Sequence, residues 1–286
     1  MTIALALTAA LLFSLGNQTS RRALDYADSM TVTLYQIGVA TALYWLATPF
    51  YLKSEYWASS VIFLLAAAGL VRPLVSANLG TAGTRILGPT VASTMSAVGP
   101  VISVTLGVLL LSEPLSWPVI AGTMGIVSAT VVLTWRGATS RTWPVLALLF
   151  PLGAATIRAA THVAAKIGLD TVPSPFFIAL VAYSVSFSVA ICYHRFYHRK
   201  TSVGPPCTDG LRWMTVSGLL YAVAVLCMNT ALLNGNLVVV SPVVACTPFF
   251  TLLLGLIVFK ERHIDQRTIM AVAIVVPSVI LITLAG

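Results

Sequence analysis

Charge is what this sequence has least of. Only 8% of its 286 residues are Asp, Glu, Lys or Arg, against about 25% in an ordinary soluble domain. So few charges cannot clothe a water-facing surface, and with 58% apolar residues the chain reads as an all-α integral membrane protein. Negative charge is scarcest, with 8 acidic residues against 16 basic ones. A basic excess alone would suit nucleic acid. Here, however, the charges fall in short gaps between long apolar runs, which excludes a nucleic-acid partner and leaves the lipid bilayer. Four cysteines, Cys192, Cys207, Cys227 and Cys246, show neither paired nor metal-type spacing. No nucleophile with its base, phosphate-binding loop or CxxC stands out, so no enzyme activity, metal or cofactor is expected. His194 and His198 stand four apart, but in the basic border Tyr193-His194-Arg195-Phe196-Tyr197-His198-Arg199-Lys200, which accounts for them without zinc. The first apolar run has no basic region or cleavage pattern beside it and reads as an uncleaved helix.

What the chain does have is ten apolar stretches suited to a hydrocarbon core of about 30 Å. They cover 2–18, 29–51, 58–79, 90–111 and 117–135, and, beyond a polar joint at 136–142, 143–165, 174–193, 211–233, 237–259 and 268–285. The longest polar stretch, 194–210, reads as an exposed loop.

The two halves, 1–136 and 143–286, resemble each other. A shift of 148 residues lays Pro100 on Pro248, Gly107 on Gly255 and Glu113 on Glu261. One of 145 lays Arg21 on Lys166, Leu24 on Leu169, Asp25 on Asp170 and Ser29 on Ser174. Five crossings are an odd number, so the second unit must enter the membrane in the opposite sense. The expectation is therefore ten transmembrane helices as two inverted five-helix repeats, forming a secondary transporter with a substrate site near the midplane that opens alternately to either side.

The order of these elements resembles the drug/metabolite transporter superfamily in its EamA-like branch. There each repeat carries a basic residue after its first helix, a proline within its fourth and an acidic residue where the fourth ends. Arg21 and Lys166, Pro100 and Pro248, and Glu113 and Glu261 match these features in turn. The resemblance implies transport of a metabolite or drug without naming the compound. Many relatives carry an Arg in the second helix where this chain has Gln36.

Charges inside the spans point to the site. Arg72 and Arg158 fall within apolar runs, while all 8 acidic residues lie in loops or at helix ends. An ionised side chain at bilayer depth costs at least ~2.5–3.5 kcal/mol, so both arginines should face a wet cavity or a partner. Arg158, His162 and Lys166 are spaced by four on one helical face, as a cationic ladder. Arg72 precedes Pro73, where the third helix should kink and free a carbonyl. Asn17 and Gln18 fall opposite His162 and Val163 at the 145 shift, and Tyr35, Gln36, Asn78, Tyr221 and Asn229 complete the candidate substrate-binding set.

A site with Arg and His but no carboxylate repels cations. The expected substrate is a small anionic or zwitterionic metabolite, such as an amino acid or organic acid. Coupling would be to a counter-substrate, or to protons through His162 or the substrate itself. The alternatives are an exporter of drug-like or cationic compounds and a non-transporting membrane scaffold. The protein is expected to be multi-pass, in a plasma or inner membrane. Odd-numbered loops hold 12 of the 14 basic loop residues, which puts both termini outside, whereas the resemblance implies cytoplasmic termini.

Overall fold

The structure, a computed structural model, describes residues 1–72, 74–87, 89–134, 145–197, 207–257 and 266–285. Those residues form α1 (Thr2–Ala23), α2 (Ser29–Tyr51), α3 (Val61–Val71), α4 (Leu74–Leu87), α5 (Pro89–Ser96), α6 (Gly99–Leu111), α7 (Trp117–Thr134), α8 (Leu149–Thr171), α9 (Pro175–Tyr197), α10 (Thr208–Leu233), α11 (Leu237–Val244), α12 (Thr247–Ile257) and α13 (Gln266–Ala285). No strand occurs among the described residues. Six helical stretches are long and apolar enough to cross a membrane, and four shorter apolar ones accompany them.

Three expected spans are interrupted, each for a reason visible in the chain. The stretch 58–79 stops at Val71, where Arg72 takes an extended conformation (φ −116°, ψ 136°), and the helix resumes as α4. Proline disfavours the α region for the residue before it, so Pro73 dictates the break. The stretch 90–111 divides into α5 and α6, and 237–259 into α11 and α12. Each second segment starts with a residue followed by proline, Gly99-Pro100 or Thr247-Pro248, equivalent positions at the 148 shift. Proline suits a first turn because its missing N–H would have no partner there.

Helix pairings survive exchange of the two halves. Helix α1 lies along α10 as α8 lies along α3 and α4; α2 packs on α10 as α9 packs on α3; α12 packs on α1 as α6 packs on α8. Among the other pairs, α2 with α9 and α7 with α13 join equivalent helices, and α6 with α11 joins the fourth span of one repeat to its counterpart in the other. Two glycines repeat the relation at atomic detail. A Cβ on Gly69 would meet the Ala182 carbonyl oxygen at 2.7 Å and Val185 Cβ at 3.0 Å. One on Gly218 would meet the Gln36 carbonyl oxygen and Val39 Cβ, both at 2.9 Å. These contacts correspond residue for residue, and glycine lets the backbones touch as small residues do between membrane helices.

At one end of the bundle gather the N-terminus and the turns before α3, α7, α9 and α11. Thr2 Oγ1 donates to the Asn234 carbonyl at 3.0 Å, and the Trp57 and Phe177 rings stand 5.4 Å apart. Here too the left-handed Ser112 (φ 53°) ends α6 and turns Glu113 inward. Its carboxylate accepts the N–H groups of Leu237 and Val238, each at 2.8 Å, and so closes the first turn of α11. The sequence places Glu113 at a turn; in the structure that turn buries it. Glu261, its counterpart, lies outside the described residues. Among the described residues, the basic side chains of this end are in ion pairs, Lys53 with Glu55 (3.8 Å) and Lys166 with Asp170 (3.2 Å). Arg21, Arg22, Arg195 and Arg212 belong to the opposite end, where Tyr26 packs on Gly210.

Candidate functional site

The inner faces of α1 and α8 define the site. On α1 the exposed Ala4 and Leu11 mark the outward stripe, and on α8 the exposed Leu149 and Thr156 mark it at the equivalent positions. Advancing two and six residues from Leu11 turns about 200° and 240° around the helix, to Phe13 and Asn17; the same steps from Thr156 reach Arg158 and His162. All four retain accessible surface although they face away from the outer stripe, and these inner surfaces are the candidate hollow. Tyr221 does the same on α10, turned away from the exposed Val216, Leu219 and Val223.

Depth agrees with this placement. Arg158 stands about 14 Å along α8, and Arg72 about 16 Å beyond the start of α3, near the middle of a core about 30 Å thick. Arg72, Arg158 and His162 lie within electrostatic reach of one another, and the Tyr183 hydroxyl of α9 within reach of both Arg72 and Tyr221. No hydrogen bond or ion pair engages the side chains of Arg72, Arg158 or His162 among the described residues.

The break at Arg72 is held from α9. Gly69 would have given its carbonyl to the N–H of residue 73, which proline lacks. Ser186 Oγ takes that place, 2.9 Å from the Gly69 carbonyl oxygen and 2.6 Å from that of Arg72. The arginine backbone is thereby fixed in its extended shape without using its guanidinium.

Other expected residues divide into three groups. Tyr221 joins the hollow, donating its hydroxyl to Asn17 Oδ1 at 2.8 Å, with the Phe13 ring 6.2 Å away. Three tie helices together: Gln36 Nε2 donates to Ser20 Oγ (2.9 Å) and Ser217 Oγ (2.8 Å), Gln18 Nε2 to the Thr251 carbonyl (3.0 Å), and Asn229 Nδ2 to the Pro175 carbonyl (3.3 Å). Tyr35, 36% exposed, lies on the outward stripe of α2 with Ala42 and Leu46, apart from the hollow. The side chain of Asn78, like His198, lies outside the described residues.

The cationic ladder needs correction. Lys166 leaves the hollow and donates to the Leu232 carbonyl at 3.0 Å, capping the last turn of α10 beside Asp170. Two steps of four carry it about 12 Å along the axis and about 80° around it from Arg158, which brings it to the helix end.

The model of the EamA-like transporter family matches residues 1–135 and 145–284, that is, nearly all the chain in two halves. The chain belongs to the EamA-like transporter family. This places the EamA-like chain in the drug/metabolite transporter superfamily and makes it a multi-pass membrane protein with a two-repeat fold. A solved crystal structure superposes on it with a TM-score of 0.81 at 16% identity, covering 100% of this chain and 99% of that one, a likeness of fold. No curated protein sequence matches it.

Phe13, Tyr183 and Ser186 are the residues of the EamA-like hollow that sequence reasoning missed. Phe13 carried a signal, since the 145 shift lays it on Arg158. Tyr183 and Ser186 had none, because nothing in an apolar run marks which hydroxyl faces a neighbouring helix break.

Proposed function

We propose that the protein is a secondary transporter of a small anionic metabolite. It would work by alternating access between two inverted five-helix repeats, 1–136 and 143–286, each crossing the membrane five times. One observation carries the reading: two guanidiniums, Arg72 and Arg158, stand at mid-depth on an inner surface without a hydrogen-bonding or acidic partner among the described residues. A bilayer tolerates such charges only where water or a solute meets them. The one carboxylate buried among the described residues, Glu113, is committed to α11 and leaves the arginines to a ligand. For the same reason an exporter of cations is the weaker reading. Coupling runs through a counter-substrate, through the substrate's own titration, or through a proton carried on the His162 imidazole.

In reconstituted vesicles the expected result is saturable uptake of at least one carboxylate or phosphate ester, inhibited by other anions, and no uptake of quaternary amines. Uptake of quaternary amines with none of any anion would overturn the reading.

The insertion sense follows from charge. Lys53 and Lys166 at the N-terminal end are both paired with acids, while Arg21, Arg22, Arg195 and Arg212 belong to the opposite end, which we assign to the cytoplasm together with the odd-numbered loops. A reporter fused after Gly286 should be active outside; activity confined to the cytoplasm would reverse the assignment.

A further inference from the structure

The contacts of the two glycines extend the repeat relation into the hollow. Their match at a shift of 149 residues places Arg72 on Tyr221, three residues beyond Gly69 and Gly218 respectively. The shift of 145 places Phe13 on Arg158 and Asn17 on His162. The two sets make equivalent walls, each built from the first helix of one repeat and the third span of the other. On one wall stand Arg158, His162 and Arg72. On the other, at the same positions, stand Phe13, Asn17 and Tyr221.

The neutral wall is also built differently. Tyr221 donates to Asn17 Oδ1 at 2.8 Å, and its ring lies over Gly16, where a Cβ would come within 2.9 Å of it. The Phe13 ring is 6.2 Å from that ring and tilted 42° to it, which leaves two aromatic faces beside an amide whose N–H groups have no partner among the described residues. The cationic wall has three basic groups and, among the described residues, no internal bond. Tyr183 stands in reach of both walls.

Resting on the anion reading above, we propose that Phe13, Asn17 and Tyr221 form the second half of the substrate site and take the uncharged end of the solute. The transported compound is then a bipolar organic anion. A carboxylate or phosphate faces Arg72 and Arg158, and a ring or other apolar group lies on Phe13 and Tyr221. Aromatic faces accept such a group by stacking, and the Asn17 amide is free to donate to a polar substituent on it. Because the two walls differ, the solute keeps one orientation with respect to the protein whichever end of the bundle is open.

The test measures binding to the purified full chain by thermal shift and titration, with four probes: benzoate, phenyl phosphate, acetate and inorganic phosphate. Benzoate should bind at least ten-fold more tightly than acetate, or phenyl phosphate than inorganic phosphate; whichever pair responds identifies the charged group. Phe13→Ala should shrink that ratio to about three-fold or less, and Phe13→Leu, which keeps most of the packing volume, should shrink it partway if the alanine variant does not fold. Arg158→Gln should weaken both members of the pair alike and leave their ratio in place. Equal affinity for the aryl and simple anions in the native chain, or an unchanged ratio in both Phe13 variants, would overturn the bipolar site and leave the anion reading standing. No binding of any of the four would bring down both.

Discussion

Arg158→Gln and Arg72→Gln should each lower anion transport in reconstituted vesicles by ten- to a hundred-fold, and each should leave the purified protein as heat-stable as the native chain or more so. A hydrogen bond to a charged group contributes about 1.5–3 kcal/mol, which sets the size of the transport loss. The stability expectation has the opposite sign. Neither guanidinium has a partner among the described residues, so each carries part of the roughly 2.5–3.5 kcal/mol that insertion scales assign to a charge at bilayer depth, water in the hollow sparing the rest, and glutamine lowers that cost. Arg72 gives the sharper case. Its extended backbone is set by Pro73 and by Ser186 Oγ, both of which the substitution leaves intact. Were either arginine a structural strut, its replacement would lower the melting temperature together with transport. That joint loss, in both variants, would remove the arginines from the site.

The second large effect is one of stability. Glu113→Ala should destabilise the protein by about 2–4 kcal/mol, read as a fall in melting temperature in detergent. Its two oxygens accept the Leu237 and Val238 N–H groups at 2.8 Å each, in a buried turn where water does not replace them. Charge-assisted bonds of this kind are about twice as strong as neutral ones, and a carboxylate also suits the positive end of α11. Glu113→Gln keeps one acceptor and should lose about half as much. A change below about 1 kcal/mol in the alanine variant would mean that α11 holds its place without the carboxylate.

The fold was legible because composition and apolar length leave few alternatives, and because Pro100, Pro248, Glu113 and Glu261 repeat in order. The break at Arg72 followed from proline chemistry alone. The breaks ahead of Pro100 and Pro248 were harder to read, since a proline inside an apolar run is compatible with either a kink or a fresh helix start. Within the site, the arginines declared themselves by their expense in lipid. Lys166 misled because helical spacing predicts a shared face but not where along the axis a long side chain finds a carbonyl; the end of α10 was there to receive it. Tyr35 and Gln36 are adjacent, and only the packing of α2 decides which of them turns inward. Phe13 was overlooked because an aromatic residue in a membrane helix has no cost to betray it, and its meaning came only from the residue it matches in the other repeat.

The crossings at Gly69 and Gly218 restrict how this molecule can move. A Cβ at either glycine would come within 3.0 Å of the facing helix, so the backbones pass there at a closeness that only glycine allows. A motion that widened one mouth of the hollow and narrowed the other would have to turn about these two points as fulcrums, with the arginines lying close to the axle and travelling little, while the loops at both rims sweep the longest arcs.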